Sequence, residues 1–131
     1  MSQLSRQKAE HRKTFDAIAV DYDRVSHGYC VEKRRSFFTH YSTGQCLEVG
    51  AGTGLTASVL RRNQTIYGTD LSYRMAQEIQ RKGISSCQSD AERIPMRDNS
   101  FDTVIAAEVV YYLDNPSSFF LEAYRVLRPG G

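Results

Sequence analysis

With 131 residues, a net charge of +2 and 40% hydrophobic residues, the chain has the size and composition of one globular domain. The charge is too small to indicate a nucleic-acid partner, and no apolar run is long enough to span a membrane. The three cysteines, Cys30, Cys46 and Cys87, have neither metal-site nor redox-motif spacing. This favours reduced thiols and a cytoplasmic location, and we assign no metal ligand.

The N-terminal part of the chain is predicted to form two helices. The first spans residues 5–26, where apolar residues recur at i, i+3, i+4 and i+7. These residues are Phe15, Ile18, Ala19 and Tyr22. After the helix-breaking Gly28, a second helix is predicted over residues 30–41, with Phe37, Phe38 and Tyr41 on one side. Its basic run, Lys33-Arg34-Arg35, is predicted to be a solvated face, with an anionic-substrate patch as the alternative.

From residue 43 onward, strand and helix patterns alternate, which predicts a parallel sheet with helices on both faces. Strands 1 to 4 are predicted at about 45–49, 65–69, 84–88 and 101–107. Helices are predicted over about 53–62 and 72–83, the second between an N-cap serine, Ser72, and Gly83. We therefore divide the chain into a helical cap segment, residues 1–42, and an α/β domain, residues 43–131.

The last predicted helix is capped by Asn115-Pro116 and has Phe120, Tyr124 and Leu127 as its apolar stripe. It ends at Pro129-Gly130-Gly131, where an α/β domain is expected to continue into a fifth strand. We therefore expect the sequence to be the N-terminal portion of a longer protein.

The segment 46–55, CLEVGAGTGL, is predicted to be a buried strand, a glycine-rich turn and the start of a helix. This order is typical of nucleotide-binding α/β units, where glycines allow a ligand to approach the backbone closely. The turn contains neither Lys nor Arg, so it is not a triphosphate-binding loop of the G-x-x-x-x-G-K-[ST] type.

Acidic residues lie at or just after the ends of all four predicted strands: Glu48, Asp70, Asp90 and Glu108. In an open α/β sheet, ligands bind beyond the carboxyl ends of the strands, so these carboxylates are expected to converge on one crevice. A cation, or a ligand with many hydroxyl and amine donors, would offset their repulsion.

Each group has a physical role under this hypothesis. Asp70 is placed to accept hydrogen bonds from both hydroxyls of a ribose. Asp90, with the backbone of Ala91, is placed to contact an adenine edge. Glu48 either binds the loop backbone or faces an ammonium group, and Thr53 either contacts the ligand or caps the following helix.

Several motifs together resemble the class I S-adenosylmethionine-dependent methyltransferases, of the type 11 group similar to the ubiquinone/menaquinone-biosynthesis enzymes. The matching segments are EVGAGTG at 48–54, Asp70, SDAE at 89–92 with IP at 94–95 and SFD at 100–102, RVLRPGG at 125–131, and FDAIAVDYD at 15–23. The resemblance implies a Rossmann-like doubly wound sheet with the strand order 3-2-1-4. In that order strand 4 is an open sheet edge unless a fifth strand pairs with it, which favours self-association through strand 4. The resemblance also implies S-adenosylmethionine as cofactor and methyl transfer to a small-molecule acceptor.

The resemblance further implies which residues bind the cofactor. Gly50, Gly52, Thr53 and Gly54 would line its methionyl and ribose portions, Ala107 its methionyl end, and Tyr22 would cover it. With the carboxylates and their neighbours, the predicted cofactor-binding set is Tyr22, Glu48, Gly50, Ala51, Gly52, Thr53, Gly54, Asp70, Leu71, Asp90, Ala91 and Ala107.

No catalytic residue is assigned, because the sulfonium already activates the methyl group and the protein mainly aligns the acceptor. His27, Tyr111 and Tyr112 are the candidates for an optional general base. Two alternatives stay open: a non-catalytic S-adenosylmethionine-binding fragment and a NAD-dependent dehydrogenase. The second fits less well, because G-x-G-x-x-G would need glycine where Leu55 stands.

Overall fold

The computed structural model describes residues 4–25 and 31–131. Three residues used in the sequence analysis, His27, Gly28 and Cys30, lie outside the described residues. None of the helices in the described ranges combines the length and apolar content needed to cross a bilayer.

The cap segment begins with helix α1, Arg6–Ile18, which continues through a short 3-10 turn, Ala19–Asp21, into α2, Tyr22–Val25. Ser5 caps α1 by accepting a hydrogen bond from the backbone N–H of Lys8 at 3.1 Å. Helix α3, Val31–Tyr41, follows. Its predicted aromatic side is only partly correct, because Phe38 packs against the core while Phe37 and Tyr41 are exposed.

The α/β domain contains a four-stranded sheet formed by β1 (Gln45–Val49), β2 (Thr65–Asp70), β3 (Ser85–Gln88) and β4 (Thr103–Ile105). All strand pairs are parallel, and the order is β3-β2-β1-β4, as predicted. The connecting helices are α4 (Leu55–Leu60) and α5 (Tyr73–Arg81), and α6 (Pro116–Val126) follows β4. All four carboxyl ends lie at one edge of the sheet, where ligands bind in this architecture.

Helix α5 has both ends where the sequence predicts them. The Ser72 hydroxyl accepts a hydrogen bond from the Met75 backbone N–H at 3.1 Å, and Gly83 has the left-handed φ of +76° that ends a helix. Met75 and Ile79 are fully buried against the sheet. Because caps depend on residues close in sequence, such boundaries can be predicted from the sequence alone.

The core consists of two apolar layers, one on each face of the sheet. Neighbouring residues of β1 contribute to opposite layers, Cys46 to one and Leu47 to the other, because side chains alternate along a strand. The first layer also contains residues of α4 and α5, and the second contains residues of α6. The sheet is therefore covered on both faces.

The predicted apolar stripe of α6 is wrong. Phe120 and Tyr124 are 59% and 82% exposed, whereas Phe119 and Val126 are 3% and 0% exposed. The buried face is therefore offset by one residue from the predicted face. Phe119 and Phe120 are equally apolar neighbours about 100° apart around the helix, so only the packing against the sheet decides between them.

Strand β4 is shorter than the predicted 101–107. Phe101 instead pairs with the segment after α6, donating a hydrogen bond to the Val126 carbonyl at 3.0 Å and accepting one from the Arg128 N–H at 2.8 Å. At the other end, Glu108 has a left-handed φ of +59°, which turns the chain out of the strand. Among the described residues, no strand pairs with the outer edge of β4.

Two motif residues stabilise this arrangement away from the carboxyl edge. Arg125 donates hydrogen bonds to the Ile94 and Met96 carbonyls, both at 2.8 Å, and so joins α6 to the loop before β4. Asp102 accepts a hydrogen bond from the Gln45 N–H at 2.7 Å, at the start of β1. These residues contribute to the fold rather than to a ligand site.

Candidate functional site

A cavity of about 430 Å³ lies at the carboxyl edge of the sheet, with α1 and α2 on its other side. Its volume is in the range of about 300–1,000 Å³ that is typical of small-molecule sites. Eleven of the twelve predicted cofactor-binding residues line it. They are Tyr22, Glu48, Gly50, Ala51, Gly52, Thr53, Asp70, Leu71, Asp90, Ala91 and Ala107. Gly54 does not.

Other lining residues lie outside the predicted cofactor-binding set, and one of them, Arg34, belongs to the basic run that was predicted to be solvated. They include Lys8, His11, Phe15, Arg34, Thr56, Ser89, Val109 and Leu113. Lys8, His11 and Phe15 recur at i, i+3 and i+7, so they share one face of α1. This periodicity could have indicated a buried face of α1. However, Lys8 and His11 are also typical of a solvated helix face.

The three glycines of the loop have the same left-handed backbone but different surroundings, with φ of +65°, +57° and +83° at Gly50, Gly52 and Gly54. A Cβ at Gly50 would overlap Val109, and one at Gly54 would lie 3.3 Å from Ile79. Among the residues that the structure describes, a Cβ at Gly52 would meet Tyr22 alone, at 3.8 Å, and both residues line the cavity. Only Gly52 therefore keeps space open for a ligand.

Asp70 ends β2 and has both carboxylate oxygens bonded to the backbone. One accepts from the Gly52 N–H and the other from the Ser72 N–H, each at 2.9 Å. Burial raises the pKa of Asp70 to about 6, although these two hydrogen bonds oppose the shift. Each oxygen keeps a further acceptor site, so the carboxylate can receive two more donors from a ligand.

Glu48, the last residue but one of β1, has a deeply buried carboxyl, with only 3% of the residue exposed. Burial raises its pKa to about 8, against the opposing effects of the Ala57 N–H, the Arg34 charge and the Thr56 hydroxyl. Its Oε2 has no hydrogen-bond partner in the described structure. A buried polar atom without a partner is costly, and a ligand donor at this end of the cavity would satisfy it.

Asp90 follows β3 and is paired with a lysine of the cap segment. The Lys8 ammonium donates to Oδ1 and Oδ2 of Asp90 at 2.9 and 2.8 Å, and it also lies 3.0 Å from Glu92 Oε1. Only 7% of the Lys8 side chain is exposed. Burial alone would lower the pKa of Lys8, but the hydrogen bonds to Asp90 and Glu92 outweigh it and raise the pKa.

Two other acidic residues attach the cap segment next to the predicted ligand residues. Asp16 accepts a 2.5 Å hydrogen bond from the Ser72 hydroxyl, two residues after Asp70. Asp23 accepts a hydrogen bond from Thr53 in the glycine loop and pairs with Lys82 at 2.8 Å. The cap segment is therefore joined to the α/β domain at three places: after β1 through Asp23, after β2 through Asp16, and after β3 through Lys8.

An aromatic wall covers the cavity on the side of α1. The Tyr112 ring packs edge-on against His11 and Phe15, with centroids 4.9 and 5.7 Å away, and Phe15 contacts Tyr22 in turn. At the rim, the Tyr111 hydroxyl donates a 2.6 Å hydrogen bond to Glu108, which raises the pKa of Tyr111. Tyr111 therefore retains its proton and is a poor candidate for a general base.

Comparison with known proteins gives one consistent result. The family described as "Methyltransferase domain" matches residues 47–131. A ubiquinone/menaquinone biosynthesis C-methyltransferase of Desulfotalea psychrophila is 32% identical over 91% of this chain and 54% of its own length. A demethylmenaquinone methyltransferase of Tropheryma whipplei is 33% identical over 94% of this chain and 56% of its own length.

The similarity extends to a solved structure. A Thermotoga maritima protein described as a SAM-dependent methyltransferase and possible histamine N-methyltransferase superposes with a TM-score of 0.76, at 28% identity. That match covers 87% of this chain and 55% of the other. The chain therefore spans slightly more than half the length of each of these three relatives.

Proposed function

Because this chain belongs to the class I S-adenosylmethionine-dependent methyltransferases, we propose that the whole protein transfers a methyl group from S-adenosylmethionine to a small-molecule acceptor. The observation that carries this proposal is the arrangement of Asp70, Asp90 and the open face of Gly52 around one cavity. The ribose hydroxyls need an acceptor such as Asp70, and the adenine amine needs an acceptor such as Asp90. Close approach of the ligand to the loop backbone needs a residue without a side chain, such as Gly52.

The residues around the cavity fit this cofactor. The space beside Gly52 would be filled by any Cβ, and the unpartnered Oε2 of Glu48 suits a donor such as the methionyl ammonium. Without a ligand, burial favours the protonated form of Glu48; the ammonium group would favour the ionised form and pair with it. Arg34, which also lines the cavity, would pair with the methionyl carboxylate. Each charged group of the methionyl portion would thus face a protein group of the opposite sign.

The remaining assignments follow the order of the strands. Asp70 would accept hydrogen bonds from the ribose hydroxyls, and Leu71 would pack beside it. Asp90, with the backbone of Ala91, would contact the adenine. Ala107 and the loop residues from Gly50 to Thr53 would line the methionyl portion, while Tyr22 would cover the ligand from above Gly52.

Bound S-adenosylmethionine supplies an activated methyl group on its sulfonium, so the chain's own residues need only bind, orient and exclude water. The described part of the cap segment is well suited to exclude water, because its Phe15 and Tyr22 pack in series with Tyr112 of the α/β domain in the aromatic wall. Residues 43–131 would act as the cofactor-binding domain. The rim residues Glu108 and Tyr111 would face the acceptor.

Calorimetric titration tests the proposal with S-adenosylmethionine, S-adenosylhomocysteine and NAD as ligands. We expect both sulfur-containing ligands to bind and NAD to fail, with Asp70→Ala weakening the binding. Tighter binding of NAD, or affinity unaffected by Asp70→Ala, would contradict it. Release of labelled methyl groups to candidate quinone precursors and small amines then tests transfer itself.

A further inference from the structure

The adenine end of the cavity contains a buried lysine whose role the proposed cofactor contacts do not explain. Lys8 lies on α1, yet its ammonium sits among carboxylates of two other segments: Asp90 and Glu92 after β3, and Asp114, at 3.8 Å, before α6. A fully desolvated lysine is costly unless it is paired. Here the pairing joins α1 to the segment after β3 and to the segment before α6.

Glu92 connects these segments through the backbone as well. Its Oε1 accepts hydrogen bonds from the N–H groups of Asp114 and Asn115, at 2.8 and 3.0 Å, in addition to its ion pair with Lys8. The position of the ammonium is therefore determined from several directions. Lys8 is consequently a rigid partner for Asp90 rather than a mobile surface charge.

The hydrogen bonds of Asp90 can be counted oxygen by oxygen. Oδ1 accepts from Lys8 Nζ at 2.9 Å and from the Glu92 N–H at 3.0 Å, one donor for each of its two lone pairs, which makes it the more crowded oxygen. Within the described residues, Oδ2 accepts from Lys8 Nζ alone, at 2.8 Å, so one acceptor site remains. Asp90 lines the cavity and 21% of its side chain is exposed, so its less crowded oxygen is the one we assign to a ligand donor.

We propose that Lys8 is a positioning residue that orients Asp90 so that only Oδ2 accepts from the exocyclic amine of adenine. The inference rests on the proposed function, because it assumes that S-adenosylmethionine places its adenine at Asp90. Lys8 does not touch the reacting atoms. By orienting the Asp90 carboxylate, Lys8 makes the site bind adenine more tightly than a purine that lacks the exocyclic amine.

The test compares two ligands: S-adenosylhomocysteine and its analogue in which hydrogen replaces the exocyclic amine. The measured quantity is the ratio of their dissociation constants. In the unmodified chain we expect the ratio to favour the amine by about tenfold or more, as for a hydrogen bond to a charged group. In Lys8→Met, which keeps the length of the side chain but removes the ammonium, the ratio should fall toward one.

Two further variants separate orientation from general stability. Lys13→Met is the matched control, because Lys13 is exposed on the same helix, and it should keep the full ratio. Asp90→Asn should also lower the ratio, and adding Lys8→Met to Asp90→Asn should lower it no further. A further fall in the double variant would show that Lys8 does not act through Asp90.

Other outcomes also decide the matter. An unchanged ratio in Lys8→Met, even with a lower melting temperature, would reduce Lys8 to a structural role and overturn the proposal. A ratio that rises would mean that Lys8 competes with adenine for Asp90, which also overturns it. If Lys8→Met does not fold, Lys8→Gln replaces it. Its neutral amide should give an intermediate ratio, and the full ratio would contradict the inference.

Failure of the proposed function looks different. If the unmodified chain binds neither ligand, the cofactor assignment is wrong, and the role of Lys8 is rejected with it. If both ligands bind and the ratio does not respond to Lys8→Met, the cofactor assignment stands and only the positioning role is wrong.

Discussion

Replacing Glu48 by Gln should make the chain more stable at neutral and alkaline pH, although it removes a carboxyl from the candidate site. Glu48 is almost completely buried, and its pKa is raised to about 8, so the folded chain holds it protonated at pH 7. A glutamine has nearly the same shape as a protonated glutamate and is neutral at every pH. The substitution therefore isolates the cost of ionising this one group.

The sign and size follow from the two pKa values. The ordinary value is 4.5 and the folded value is about 8, so between these limits the folded chain keeps a proton that the unfolded chain releases. The free energy of unfolding therefore falls as the pH rises through this window. At 1.36 kcal/mol per pKa unit, the loss is about 5 kcal/mol above pH 8, and about 3 kcal/mol of it is already present at pH 7.

Urea unfolding of both chains from pH 4 to pH 9, followed by circular dichroism, measures this difference directly. The two free energies should be similar near pH 4 and then separate, with Glu48→Gln the more stable by several kcal/mol at pH 8. Glu78→Gln is a suitable control, because Glu78 does not line the cavity and pairs with Arg81. Parallel curves for the unmodified chain and Glu48→Gln would refute the reasoning, because they would mean that Glu48 is ionised in the folded chain.

Three further predictions concern the cofactor and the sheet edge. Asp70→Ala should weaken S-adenosylmethionine binding about tenfold or more, and in the unmodified chain the affinity should rise with pH through about 6 as Asp70 ionises; calorimetry that detects neither effect would reject the ribose contact. Gly52→Ala should mainly lower the affinity for S-adenosylmethionine, with a smaller effect on the melting temperature. Gly54→Ala, which has similar backbone strain, should mainly lower the melting temperature, because its Cβ meets Ile79. Equal effects of the two substitutions would show that the cavity does not depend on Gly52. The open edge of β4 should promote self-association, and a sedimentation coefficient independent of concentration would contradict this.

The sequence alone determined the features that depend on neighbouring residues. The bounds of α5 follow from Ser72 and Gly83, and the glycine turn after β1 follows from a buried strand next to three glycines. The convergence of Glu48 and Asp70 at the cavity also follows, because strands that alternate with helices must be parallel and end at the same edge. Such signals are local, or result from the handedness of the connections, and need no knowledge of packing.

The tertiary structure alone decided which side chains meet across the chain. Lys8 and Asp90 are 82 residues apart, Asp16 and Ser72 are 56 apart, and Asp23 and Thr53 are 30 apart. In the sequence, Lys8, Asp16 and Asp23 look like residues of a solvated helix face, because their neighbours in sequence do not show which groups they contact in the fold.

The same limit applies to the buried face of α6 and to the pKa of Glu48. Phe119 and Phe120 have the same propensity, and a glutamate at the end of a strand has its ordinary pKa until the surrounding chain removes water from it. Burial and electrostatic energy are properties of the completed packing, and no window of neighbouring residues contains them.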